Sequence, residues 1–111
     1  MKRLDKAAEA IARSILHCES MRVISHNDAD GITSAALICT ALQRAGIPFQ
    51  ATLLNRLDDS VLAGLDRPVV FCDMGSGKPE TISRVKEDCF VLDHHRPVGS
   101  IDCMHLNPHL F

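Results

Sequence analysis

The chain has 111 residues, 46% apolar and 23% charged, with a formal net charge of −2. That length makes one domain with a single core, and no apolar stretch approaches the roughly 20 residues that a membrane-spanning helix needs. Trp and Tyr are absent and no basic stripe offsets the negative balance, so the electrostatic footprint and most of the stacking surface of a nucleic-acid groove are missing.

The first twenty residues mix Lys2, Arg3, Asp5, Lys6 and Glu9 with apolar side chains. A signal peptide would have an uninterrupted apolar core there, so a cytoplasmic chain with no membrane partner is expected. Leu4, Ala8, Ile11 and Ile15 recur at i, i+4, i+7 and i+11, which predicts an amphipathic helix over 2–19. Residues 21–25 form a short strand. The run Ile32, Ala35, Ala36, Cys39, Leu42 predicts a second helix over 31–45, ended by Gly46, and Pro48 opens a strand running to about Leu54. Asp58 and Asp59 suit the cap of a short helix through Leu65. The apolar, β-rich run 69–72 is a third strand. Pro79 fits the first turn of a helix over about 80–87, residues 89–92 make a fourth strand, and a weak fifth is expected over 101–105. Strands alternating with helices, with nearly continuous apolar strand cores, give an α/β fold: a three-layer βαβ domain with a parallel sheet of four or five strands. The five cysteines are odd in number, lack a Cys-x-x-Cys pair and mostly sit in apolar runs. They read as small buried hydrophobes, not as a disulfide framework or a thiolate zinc site.

The polar residues cluster where three strands end. Strand one leads into Ser25-His26-Asn27-Asp28-Ala29-Asp30-Gly31, strand three into Asp73-Met74-Gly75-Ser76-Gly77, and strand four into Asp93-His94-His95-Arg96-Pro97. In an open α/β sheet, ligands bind beyond the carboxyl ends of the strands, so the three clusters should meet at one site. His26, Asp28 and Asp30 are spaced by two, which in extended backbone turns them to one side, and Gly31 then lets the chain enter the helix. Alone, Asp30 reads equally as a helix cap and His26 as a loop residue. A calcium EF-hand is excluded because the twelfth loop position, counted from His26, is Leu37 and not a bidentate Glu. A nucleotide P-loop at Gly75-Ser76-Gly77-Lys78 is excluded because Pro79 follows the lysine and Cys72 occupies the first glycine position. Those glycines either bring backbone N–H groups to a phosphate or only form a turn. Asp73 would supply the carboxylate that two cations need as a bridge. Oxygen and imidazole donors without thiolate suit manganese, or magnesium, better than structural zinc. Tandem histidines after an apolar strand have no packing rationale.

With these motifs in view, the sequence resembles the DHH phosphoesterase superfamily, whose name describes Asp93-His94-His95. The resemblance covers roughly residues 20–108 and makes the chain the N-terminal part of a DHH domain. His-x-Asp-x-Asp-Gly at His26 to Gly31 is similar to the first motif of the RecJ-like exonuclease branch, Asp73 to the second-motif aspartate, and Asn107-Pro108 to the Asn-Pro after the DHH tripeptide. The resemblance implies that His26 and Asp28 bind one metal, Asp30 and His94 another, with Asp73 between them. Asp93 would orient His94, His95 would face the phosphate or assist proton transfer, and Arg96 would neutralise phosphate charge. The implied function is two-metal hydrolysis of a phosphodiester in single-stranded nucleic acid, cut from a 5′ end. Two other readings stand beside it: a non-catalytic module of the replisome, since archaeal RecJ-like proteins associate with the GINS complex, and a phosphoesterase of short oligonucleotides or pyrophosphate. The family's further acidic ligand and its closing domain lie beyond the position of Phe111, so low activity is expected unless a partner chain or a homo-oligomer supplies the missing groups.

Overall fold

The computed structural model describes residues 2–111; Met1, which the reading of the first twenty residues included, lies outside them. Chain order is α1 (Lys2–Leu16), β1 (Met21–His26), α2 (Ala29–Arg44), β2 (Phe49–Leu54), α3 (Asp59–Ala63), β3 (Val69–Cys72), α4 (Pro79–Ser83), β4 (Cys89–Leu92), β5 (Met104–Leu106) and a closing 3-10 turn, Pro108–Leu110. All five strands are parallel, in the order β2-β1-β3-β4-β5. The three-layer α/β expectation therefore stands, with five strands.

Two apolar clusters cover the two faces of the sheet. Ile11 of α1 and Ala35 and Leu42 of α2 pack with Met21, Val23, Val70 and Phe90. On the other side Ile82 of α4 packs with Ile24, Val69, Phe71 and Val91, and Val61 and Leu62 of α3 lie against the same cluster. Adjacent strand residues alternate between the clusters, as the two-residue period of a strand requires. β1, β3 and β4 are apolar on both faces because both are roofed. β2 is an edge strand and stays largely exposed.

Several boundaries differ from the sequence expectations. α3 and α4 stop at Ala63 and Ser83 instead of reaching Leu65 and Glu87; both are single short turns that reach the core through few apolar contacts. β5 begins at Met104, later than Ile101. α2 starts two residues before Gly31, and its N-cap is Asp28, not Asp30.

The strand order reverses direction around β1 and β3: the chain leaves β1 for β2 on one side and returns to β3 on the other. A crevice opens at the carboxyl ends of the two strands where such a reversal occurs. His26 ends β1 and Asp73 directly follows β3, so the topology alone brings two of the three polar clusters together.

Candidate metal centre

The first cluster is shaped by the entry into α2. Asp28 has extended backbone and its Oδ1 accepts the Gly31 N–H at 2.9 Å. Its other oxygen lies 2.8 Å from His26 Nδ1. One carboxylate therefore caps the helix and faces the histidine. Gly31 sits inside the first turn, where an added Cβ would collide with the His26 carbonyl oxygen, so only glycine permits α2 to start this close to β1. The buried Ser25 hydroxyl joins the pieces, 2.7 Å from Gly31 O and 3.0 Å from Cys72 O. The alternation argument for His26, Asp28 and Asp30 is thus corrected at its last member: His26 ends a strand and Asp28 is an extended cap, but Asp30 already lies in the first turn of α2. Asp30 remains largely exposed, its Oδ2 3.8 Å from His94 Nε2.

Asp73 stands at the centre. Its φ of +58° is left-handed backbone, uncommon for any residue but glycine and better tolerated by Asp and Asn than by most. Its N–H is held by Leu92 O at 2.9 Å. The side chain is 1% exposed; Oδ1 lies 2.7 Å from His94 Nε2, while Oδ2 lies 3.9 Å from His26 Nδ1. Oδ2 is buried with no hydrogen-bond partner. Burial is the main reason this carboxyl is pushed above the usual carboxylate range, against the pull of His94.

The third cluster is braced by buried polar groups. Burial alone would raise Asp93, but bonds from the His95 ring and from Ser76 outweigh it and hold the carboxyl low. Oδ1 lies 2.6 Å from His95 Nδ1 and accepts the His94 N–H at 2.8 Å; Oδ2 accepts the Ser76 N–H at 3.1 Å. Asp93 therefore orients the ring of His95, and it holds His94, the residue it was expected to orient, through the backbone N–H alone. The same bond raises His95 above the ordinary histidine value. Ser76 Oγ lies 2.9 Å from His105 Nε2 and accepts from Asn107 Nδ2 at 3.0 Å; Asn107 also donates to His95 O at 2.7 Å. The Ser76 N–H is thus spent on Asp93, which favours the turn reading of Gly75-Ser76-Gly77. Gly75 has φ +111° and a Cβ there would crowd Val91 at 3.1 Å.

Among the described residues, two groups have donor atoms within 4.8 Å of one another: His26, Asp28 and Asp73, and Asp73, Asp93, His94 and His95. Asp73 belongs to both. Hard oxygens, imidazoles and an unpartnered buried carboxylate oxygen fit a divalent cation. On the His26 and His95 side lies a cavity of about 340 Å³, lined also by Arg56 and Lys78. Nothing in the local sequence singled out those two cations; the only available signal was that Arg56 follows a strand's carboxyl end and Lys78 the glycine turn. Arg96 is exposed and does not line this cavity. Ser76 and His105 were likewise missed, and Asn107 carried no role beyond its motif. No helix among the described residues is long and apolar enough to cross a membrane.

Residues 20–110 match the model of the DHH family, N-terminal domain. The chain is 34% identical to the uncharacterized protein MJ0831 of Methanocaldococcus jannaschii, an alignment that covers 100% of this chain and 29% of that protein. Its fold is similar to that of RecJ from Thermus thermophilus, solved in complex with Mn2+, with a TM-score of 0.74 at 22% identity over 96% of this chain and 17% of that one. The chain thus spans less than a third of the curated relative and less than a fifth of the solved structure.

Proposed function

The chain belongs to the DHH family, and from that premise we propose that it is the N-terminal, metal-holding part of a DHH domain that hydrolyses phosphodiesters. His26, Asp28 and Asp73 would hold one divalent cation and Asp73, Asp30 and His94 a second, with manganese ahead of magnesium. The observation that carries this reading is Asp73: a buried carboxylate with one oxygen at His94 and the other unpartnered beside His26. Left without a cation, such an oxygen loses hydration and gains no bond.

When bound, the two cations supply Lewis-acid charge and acidify a water for in-line attack at phosphorus. The chain's own groups do the rest. Asp93 fixes the His95 ring through Nδ1, so Nε2 is the nitrogen left to hold or deliver a proton at a phosphate oxygen. Arg56 and Lys78 bring positive charge to the cavity beside it, and Arg96, outside that lining, is a further candidate only through its place next to the tripeptide. The likeness in fold to a RecJ protein solved with Mn2+ supports manganese, and the RecJ-like motif at His26 to Gly31 is the ground for taking single-stranded nucleic acid or a short oligonucleotide, cut from its 5′ end, as the substrate class.

The test is calorimetry of the metal-stripped chain with Mn2+, followed by hydrolysis of a small phosphodiester and of a 5′-labelled single strand. Saturable Mn2+ binding and slow, metal-dependent hydrolysis are expected, both lost in Asp73→Asn. Hydrolysis that survives this substitution would overturn the assignment.

A further inference from the structure

Away from the metal centre, at the opposite end of the sheet, two cysteines face each other across neighbouring strands. The β4–β5 register runs Phe90 to Met104, Val91 to His105 and Leu92 to Leu106; one step before it, Cys89 at the start of β4 stands level with Cys103 in the bend that leads into β5. Laterally paired residues of adjacent parallel strands put their side chains on the same face, and here the burial agrees. Phe90 and Met104 pack on one cluster, while Cys89 and Cys103 both pack on the other. Strand spacing of about 4.8 Å at the adjoining Phe90–Met104 pair falls inside the roughly 4.4–6.8 Å Cα separation that a disulfide spans. Both thiols are free and half-buried, and both line a cavity of about 360 Å³ open to solvent.

We propose that Cys89 and Cys103 are a modification site, an oxidant-formed disulfide that clamps the three-residue edge strand β5 to β4. The oxidant class is a small neutral hydroperoxide. Glu87, Asp88 and Asp102 rim the same cavity, and their charge repels an anionic disulfide such as glutathione disulfide while leaving hydrogen peroxide unaffected. Cys103 is the attacking group: the neighbouring Cys89 thiol draws it below the ordinary value, whereas Cys89, beside Cys103 and buried, is pushed up. The Cys103 thiolate displaces hydroxide from the peroxide and becomes a sulfenic acid. Cys89 sulfur then attacks the Cys103 sulfur, its proton leaving with the hydroxyl as water. The sum is two thiols and one peroxide to one disulfide and two waters, with sulfur oxidised and peroxide oxygen reduced.

The clamp has a reason to matter. β5 leads directly into Asn107, whose amide holds the His95 carbonyl and Ser76. Fixing β5 therefore fixes the brace under the DHH tripeptide, in a short edge strand that is otherwise the first part of the sheet expected to fray.

The experiment uses the whole chain, reduced and metal-free, treated with equimolar hydrogen peroxide and then alkylated. Cleavage on the amino side of Asp93 and Asp102 separates the two cysteines. A linked peptide pair two hydrogens lighter than its parts is expected, with Cys18, Cys39 and Cys72 alkylated, and a melting temperature raised by a few degrees. In denaturant the same treatment should scatter links among all five thiols. Cys103→Ser should remove both the link and the melting shift, and Cys89→Ala should stop the reaction at a trappable sulfenic acid on Cys103. The proposal is overturned if folded chain yields Cys89 and Cys103 separately alkylated, or if its links are as scattered as those formed in denaturant.

Discussion

Asp73 divides its two oxygens between two histidines: Oδ1 lies 2.7 Å from Nε2 of His94, and Oδ2 lies 3.9 Å from Nδ1 of His26. The carboxylate thus joins the strand-one cluster to the strand-four cluster from a left-handed residue at the end of β3.

That position makes Asp73→Asn informative in two opposite directions. Asn also tolerates left-handed backbone, so the turn survives. Burial raises the Asp73 carboxyl; a carboxyl raised on folding costs stability above its unfolded value, and the cost grows as pH rises through its folded value. Without metal, the neutral amide should therefore leave the protein as stable as wild type at pH 7.5, or more so. With manganese the order reverses, because the shared ligand is gone and affinity falls by about 100-fold or more. Thermal melts with and without Mn2+ check both halves. A variant equally stabilised by Mn2+ would remove Asp73 from the ligand set.

Gly31→Ala addresses the junction instead of the ligands. With a Cβ driven into the His26 carbonyl oxygen, α2 and β1 must separate, and overpacking of this kind costs about 1–3 kcal/mol or more. The higher figure is expected, since the obstacle is backbone. Gly64, with nothing within 4 Å of its Cβ position, is the control and should be near neutral. Urea midpoints of the two variants provide the comparison, and Mn2+ affinity should fall only in the first because His26 and Asp28 move apart.

The sequence made β3 and β4 legible because buried parallel strands have an unmistakable apolar signature, and both bounds agree with the structure. β5 was placed too early, since Met104, His105 and Leu106 are only half-buried and show no period. The three strand-end clusters could be seen to converge from chain order alone. How they converge could not: Asp28 as a cap with its second oxygen on His26 is a local geometry that spacing by two suggests for the wrong reason. Ser76 and Asn107 were silent because their value is long-range. They are 31 residues apart in sequence, and a serine and an asparagine signal nothing until the fold joins them.

Asn107 supports a prediction about support without ligation. Its amide satisfies the buried Ser76 Oγ and the part-buried His95 O, and its own oxygen accepts the His109 N–H at 2.9 Å. Asn107→Ala removes both bonds, leaving Ser76 Oγ with His105 alone and His95 O without its side-chain donor, at a cost of about 1–3 kcal/mol. Asn107→Asp keeps the shape but turns a donor into an acceptor against two acceptors, so it should be no better. Because no donor of the metal groups is removed, Mn2+ affinity should change by less than tenfold while turnover of a small phosphodiester falls further. Equal loss of both would mean that Asn107 serves the ligands and not His95.

The last prediction takes its sign from the Asp93–His95 pair. The bond to Asp93 raises His95 above its ordinary value, so the folded state binds the proton more tightly than the unfolded chain does. The stability this supplies is fully present below about pH 6.5 and is lost as pH rises through the folded value. Asp93 is held low, so its share is present above its ordinary value of 3.8 and lost as pH falls through the folded one. Together they stabilise most between about pH 4 and 6.5. His105 runs the other way: burial lowers it, so the folded state prefers the neutral ring and gains stability as pH rises. Total stability mixes these slopes, and the difference between wild type and His95→Gln separates them. Since the His95 side chain is 53% exposed, solvent screening limits the ionic part to about 0.5–1 kcal/mol. Urea unfolding of the metal-free, reduced proteins at pH 5.5, 7.0 and 8.5 should show the gap widest at 5.5 and nearly closed at 8.5. His95→Gln alone should grow more stable across that range as the His105 contribution emerges. A gap that stays constant with pH would mean that Asp93 holds the neutral ring as well as the charged one, and that His95 is positioned by hydrogen-bond geometry with no contribution from charge.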